Sequence, residues 1–282
     1  MIIWIASYPK SGNTWIRALL AYYFFSKEEK FSFDLLKHIP NFNVSDYVNE
    51  KYPLKSNDDI IKNWLPIQKF INNKFKRNLL FKTHNACIKI RDNSFTSNKV
   101  SAGCIYVVRD PRNFVTSYKN FENQSYERVT QNMFNEEGFL LSNQSTFRKF
   151  GIKGVEIISS WGQHYNSWVH NKLKIPICLI KYENLLNDPS AEFVKIFDFL
   201  KKINKEKKIK IDEKRLKKTI NETNFENLKN LENSIGFIEK QNRKAKFFNQ
   251  GSDNDWEQIL PKEISSKIEK NFELEMKELN YL

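Results

Sequence analysis

The stretch MIIWIASYPKSGNTW, residues 1–15, sets an apolar run against a turn that carries Lys10, Ser11, Gly12 and Thr14. The run Ile2–Ala6 is short, β-branched and aromatic. It reads as a buried strand rather than as a helix or a membrane span. The pattern Thr14–Phe25 (TWIRALLAYYFF) that follows reads as a helix. A strand feeding a helix through such a turn is where an open parallel sheet binds anions, because free backbone N–H groups and the helix dipole converge there. Gly12 permits close approach of the backbone, Lys10 adds a point charge, and Ser11 and Thr14 supply hydroxyls. Lys precedes Gly, so the turn is not the GxxxxGK[ST] loop of ATPases and GTPases.

Working outward, three further runs read as parallel strands: Asn78–Lys82, Gly103–Val108 and Pro176–Lys181. A fifth is expected in the last third of the chain, without a defined position. Helical patterns alternate with them at Gly154–Lys172 and Ser190–Leu200, and Pro261–Leu282 reads as an amphipathic helix packed on the body. Gly138–Gly151 is polar and reads as a mobile excursion. The expected architecture is α/β: a single domain over 1–282, with a central parallel sheet flanked by helices on both faces.

The chain has 282 residues with 40% hydrophobic content and 23 Phe, enough for a substantial core. Cys87, Cys104 and Cys178 are widely spaced, which argues against a disulfide scaffold and a cysteine zinc site. No segment reads as a signal peptide or a membrane span, and the expected location is the cytoplasm. The net charge of +13 admits nucleic acid, a small polyanion or simple solubility as its reason. Much of the excess lies in Lys201–Lys218, where acidic residues intervene and aromatics are scarce. That run reads as a solvated face, so a nucleic-acid partner is not expected. Oligomeric state is not addressed by these features.

Two further strand ends carry chemistry. Arg109-Asp110-Pro111-Arg112 follows the strand Gly103–Val108, and an Arg leaving a strand grips phosphate through its planar fork. Pro111 stops the strand and begins a helix, which turns Ser117 to the side of Arg109. His84 closes the second strand in Phe81-Lys82-Thr83-His84; taken alone it is either a satisfied polar residue or a proton acceptor titrating near neutral pH. Tyr182 and Phe225, taken alone, are equally core aromatics.

These motifs together resemble the cytosolic-type sulfotransferases. YPKSGNTW is similar to their YPKSGTTW signature, with Asn13 where Thr is usual. The resemblance implies a P-loop-like sulfotransferase fold and a donor, 3′-phosphoadenosine-5′-phosphosulfate (PAPS), held at its 5′ end by Lys10, Ser11, Gly12, Asn13 and Thr14. It places Arg109 and Ser117 on the 3′-phosphate, Trp15 against the adenine, and His84 as the base that takes the acceptor's proton. WGQHYNSW, KYENL and Asp188-Pro189 extend the likeness and imply Tyr182 against adenine, joined by Thr223, Asn224 and Phe225. Arg243, Lys244 and Ala245 resemble the RKG of a further 3′-phosphate loop, although Ala replaces Gly and Lys246–Asn254 lengthens the connection to Asp255-Trp256. The implied catalytic set is Lys10, His84 and Ser117, with Ser117 restraining Lys10 until the acceptor arrives. No metal is implied. The expected partners are PAPS and a small-molecule or carbohydrate acceptor. Aromatic residues in Ile39–Pro66 and Tyr118–Gly154 suggest an apolar or ring-bearing acceptor, and core packing explains them equally well. A P-loop-type small-molecule kinase and a carbohydrate-type sulfotransferase with a Glu base are the competing readings.

Overall fold

A computed structural model describes residues 1–47, 54–142, 154–206, 208–237, 246–248, 251 and 254–282. Its strands are β1 (Ile2–Ser7), β2 (Leu79–Thr83), β3 (Lys89–Ile90), β4 (Asn93–Ser94), β5 (Ser101–Val108), β6 (Phe139–Ser142), β7 (Gly154–Ile157) and β8 (Ile177–Lys181). The central sheet runs β2-β1-β5-β8, and every pairing in it is parallel. In register, Ala6 faces Thr83 and Tyr106, Ser7 faces Val107, and Val108 faces Lys181. The four strands therefore finish at one edge, and the residues that follow them leave from neighbouring points.

Strand periodicity divides the core in two. Trp4, Ala6, Phe81, Cys104, Tyr106 and Val108 face one layer, against the helices Trp64–Phe75, Trp161–Val169 and Lys262–Asn271. Ile3, Ile5, Ile105, Val107, Cys178 and Ile180 face the other, against Asn13–Phe25, Pro189–Asn204 and Phe225–Ile235. With both faces covered, strand residues such as Trp4, Ile5 and Ile105 are fully buried, and each such side chain is worth about 1.5–3 kcal/mol. That is why the strands read as unbroken apolar runs.

Four expectations are corrected. The fifth strand is absent among the described residues, and the last third instead supplies amphipathic helices that pack on both faces. Gly154–Lys172 is not one helix: Val155 and Ile157 flank Glu156 in strand β7, Ser159 turns the chain at φ 58°, and Ser160 caps a helix beginning at Trp161. The excursion Gly138–Gly151 contains β6, antiparallel to β7; the remainder from 143 lies outside the described residues. Pro261–Leu282 holds two helices, Lys262–Asn271 and Glu273–Glu278, separated at Phe272. The basic run is split between two helices with an exposed connection, as a solvated segment would be. Its Arg215 is an exception, donating to the carbonyls of Tyr23 and Ser26 at the end of the first helix. No described helix is long and apolar enough to cross a membrane.

Candidate active site at the strand ends

The β1 turn forms the floor. Lys10 takes a left-handed backbone at φ 60°, and Gly12 follows at φ 97°. The helix then starts at Asn13, and its first-turn N–H groups have no intrahelical acceptor. Asn13 Nδ2 reaches back to the Ile5 carbonyl at 2.9 Å and the Ser7 hydroxyl at 3.2 Å, tying the turn to its strand. The unusual Asn13 thus has a local structural role through its side-chain amide. Ser11 Oγ donates to the Pro9 carbonyl at 3.4 Å, and Thr14 is buried.

Arg109 leaves β5 beside this turn. It is 6% exposed, its Nη1 donates to the Lys10 carbonyl at 3.1 Å, and its guanidinium lies 4.4 Å from the Tyr182 ring centroid. Tyr182 leaves β8 next door and makes an edge contact with Trp15 at 6.1 Å. Arg109 Nε and Trp15 Nε1 are buried donors with no hydrogen-bond partner. Two dry, unanswered donors around a helix N-terminus define a place for an anion-bearing ligand with acceptor atoms.

His84 leaves β2 on the other side of β1. Its Nδ1 lies 2.8 Å from the Ser7 carbonyl. A carbonyl only accepts, so Nδ1 carries the proton in the neutral ring and the lone pair sits on Nε2. The backbone of His84 is pinned as well. Its N–H donates to Glu156 Oε1 at 3.0 Å, and its carbonyl accepts from His164 Nε2 at 3.1 Å. His164 Nδ1 in turn accepts the Tyr106 hydroxyl at 2.8 Å. Burial pushes His164 down to about 3, so it is neutral, and burial holds the Tyr106 hydroxyl protonated.

Ser117 lies half-buried on the helix Pro111–Glu122, with no hydrogen-bond partner among the described residues. Asp110 caps that helix and pairs with Arg112, which also binds Glu269; the pair organises the turn rather than facing a ligand. Lys10 Nζ donates to the Phe247 carbonyl at 3.2 Å and sits 4.3 Å from its ring centroid. Phe247 belongs to the lengthened connection and was not among the motif residues. It is held by Glu232, whose carboxylate accepts the N–H groups of Phe247 and Phe248. Phe248 joins this cluster to Phe225, and Gly251 packs on the Phe225 ring. Thr223 and Asn224 use their side chains on helix ends: Thr223 donates to the Thr219 carbonyl and Asn224 caps the next helix. Arg243, Lys244 and Ala245 lie outside the described residues.

Glu156, His164, Tyr106 and Phe247 are residues to which motif reading gave no role. His164 lay within the quoted WGQHYNSW, and the FF pair stood out among charges at Lys244–Gln250.

The family model for the sulfotransferase domain matches residues 2–280. An amine sulfotransferase of Oryctolagus cuniculus is 24% identical, over 98% of this chain and 81% of its own length. Cytosolic sulfotransferase 17 of Arabidopsis thaliana is 25% identical over 99% and 75%. A retinol dehydratase solved with androsterone and the inactive cofactor PAP has a similar fold, with TM-score 0.60 at 17% identity over 98% of this chain and 80% of that one. Mouse SULT7A1 with PAP has TM-score 0.56 at 17% identity over 97% and 83%.

Proposed function

The chain belongs to the sulfotransferase family, and from that premise we propose that it moves a sulfuryl group from PAPS to an acceptor hydroxyl or amine, with His84 as general base. The observation that carries the donor assignment is Arg109: a guanidinium almost out of solvent, with Nε unanswered, fixed to the Lys10 carbonyl at the mouth of the β1 turn. Arg109, with Ser117, answers the 3′-phosphate; Lys10, Ser11, Gly12, Asn13 and Thr14 answer the 5′ end; Trp15, Tyr182 and Phe225 supply ring surface for adenine. Arg243 and Lys244 would add charge at the 3′-phosphate.

PAPS brings the sulfuryl group already bonded to a good leaving phosphate, so the protein's share is positioning and charge stabilisation. His84 Nε2 takes the acceptor's proton as the acceptor atom bonds to sulfur. The sulfur–oxygen bond to the phosphate breaks with its electrons left on that oxygen, and Lys10 Nζ stabilises the charge. Lys10 must exchange the Phe247 carbonyl for the phosphate to do so, which makes the Phe247 contact a restraint on Lys10 in addition to that expected of Ser117. Lys10 and Arg109 provide positive charge on their own, so the reading calls for no metal. The three cysteines are free, which fits a reducing compartment such as the cytoplasm, and the domain is taken as the whole of 1–282.

Calorimetry with PAP and with ATP, each with and without magnesium, tests the donor assignment: PAP binds without magnesium and ATP binds weakly. Tight, magnesium-dependent ATP binding would favour a kinase. His84→Ala retains PAP binding and loses roughly two to four orders of magnitude in turnover. Unchanged turnover removes His84 from the mechanism.

A further inference from the structure

Ser7 ends β1 between the two halves of the site. His84 Nδ1 donates to its carbonyl at 2.8 Å, and its hydroxyl lies 3.4 Å from the same nitrogen. On its other side that hydroxyl accepts from Asn13 Nδ2 at 3.2 Å, and the same Nδ2 donates to the Ile5 carbonyl at 2.9 Å. These contacts are dry: Ser7 is fully buried and Asn13 is 4% exposed.

Asn13 opens the first helix, so its backbone belongs to the turn while its side chain reaches back to Ser7. The Ile5 carbonyl only accepts, so Nδ2 rather than Oδ1 must face the strand. Oδ1 is left buried with no hydrogen-bond partner. An unanswered buried acceptor costs stability, and it calls for a reason beyond packing. The reason lies in Ser7. A serine side chain has three staggered rotamers, and Asn13 holds this one where Oγ stands beside His84 Nδ1. There Oγ is a second acceptor for the Nδ1 proton, and its worth rises when Nε2 takes a proton and the ring becomes charged.

We propose that Asn13, through its side chain, and Ser7 are positioning residues that lock the base to the donor turn, so that occupancy of the turn sets the placement of the His84 ring. The proposal rests on the sulfuryl-transfer reading. A threonine at position 13 offers a hydroxyl but no amide to bridge the Ile5 carbonyl and the Ser7 hydroxyl. The lock therefore belongs to the asparagine by which this chain departs from YPKSGTTW.

The test uses the full chain with ¹⁵N-labelled histidine, and PAP as the probe. His84→Ala identifies the His84 signals among the four histidines. Thermal unfolding checks that each variant is folded. PAP titration of the parent comes first; a parent that fails to bind PAP sinks the transfer reading itself. With PAP bound to the parent, the His84 ring signals shift. In Asn13→Thr, PAP binds and that shift is lost. Ser7→Ala loses it too, and the double variant adds nothing further. Should Asn13→Thr fail to fold or to bind PAP, Ser7→Ala decides alone. With labelled PAPS and a phenol as acceptor, either substitution lowers kcat by about ten- to a hundredfold while the KM for PAPS holds. Placed on His84→Ala, neither costs more, as residues acting only through the base require. His84 signals that ignore PAP in the parent, or answer it equally in the variants, overturn the proposal. So does a loss of turnover that is the same with and without His84.

Discussion

A methyl group on Gly12 would sit 2.6 Å from Tyr182 Cδ2, on a backbone already at φ 97°. The two costs are separable. The left-handed backbone charges any L side chain about 1–2 kcal/mol, and the contact adds strain because Tyr182 is held by Arg109. Gly12→Ala therefore lowers the thermal midpoint, at about 2–4 °C per kcal/mol for a large domain, and weakens PAP binding. Tyr182→Ala placed on top of Gly12→Ala recovers the steric part alone. A double variant that recovers nothing would show that the ring contact is not the obstacle. Gly12 and Arg109 were legible in the sequence because their chemistry belongs to a local turn. Glu156 was not: its meaning comes from His84, 72 positions away, through a side-chain to backbone hydrogen bond that no local pattern encodes.

Among elements, the helix Trp161–Val169 does the most to fix His84. It presents His164 to the layer beneath the sheet, where Tyr106 of β5 donates to one nitrogen and the other donates to the His84 carbonyl. Trp168 Nε1 adds a bond to the Asn85 carbonyl at 3.0 Å. A helix from one part of the chain thus clamps the segment that carries His84. His164 is held down to about 3 by burial, against an unfolded value near 6.5. Below about 6.5 the unfolded chain binds a proton that the folded chain refuses. The stability from keeping His164 neutral is complete above that pH and is lost as pH falls towards 3, by roughly 1.4 kcal/mol per unit. Urea unfolding at about pH 7, 6 and 5 should show a shallower pH slope for His164→Gln than for the parent chain. Identical slopes would mean that His164 is not the buried titrating group. The sequence showed WGQHYNSW as a helix pattern, but its lead-in from Gly154 read as helix too. Strand β7 exists because β6 is there to pair with it, and that partner is a tertiary fact.

Across the whole molecule, the segment at Leu279–Tyr281 closes the site from behind. Lys181 Nζ donates to the Leu279 carbonyl, Arg112 to the Tyr281 carbonyl, and Tyr281 Oη to Glu183 Oε2 at 2.8 Å. Glu183 Oε1 accepts the Asp110 N–H, so the end of the chain braces the turn that aims Arg109. Burial and the neighbouring Glu183 hold the Tyr281 hydroxyl protonated, as a donor must be. Tyr281→Phe removes that donor; the expected cost is about 1 kcal/mol in stability and a weaker PAP affinity, read by denaturation and calorimetry. Stability lost with PAP affinity unchanged would confine Tyr281 to packing.

The amino-acid sequence alone determined the parallel sheet, the strand-to-helix turn after β1, and the placing of Arg109 after β5 and His84 after β2. These follow from period, turn chemistry and charge within a dozen neighbouring residues, where the chain has little choice. Only the folded arrangement decided how many strands the sheet holds, that Phe247 meets Lys10, which nitrogen of His84 keeps the proton, and that Glu156 accepts the His84 N–H. Each of those depends on groups far apart in the chain competing for the same few ångströms, and no local propensity records who wins.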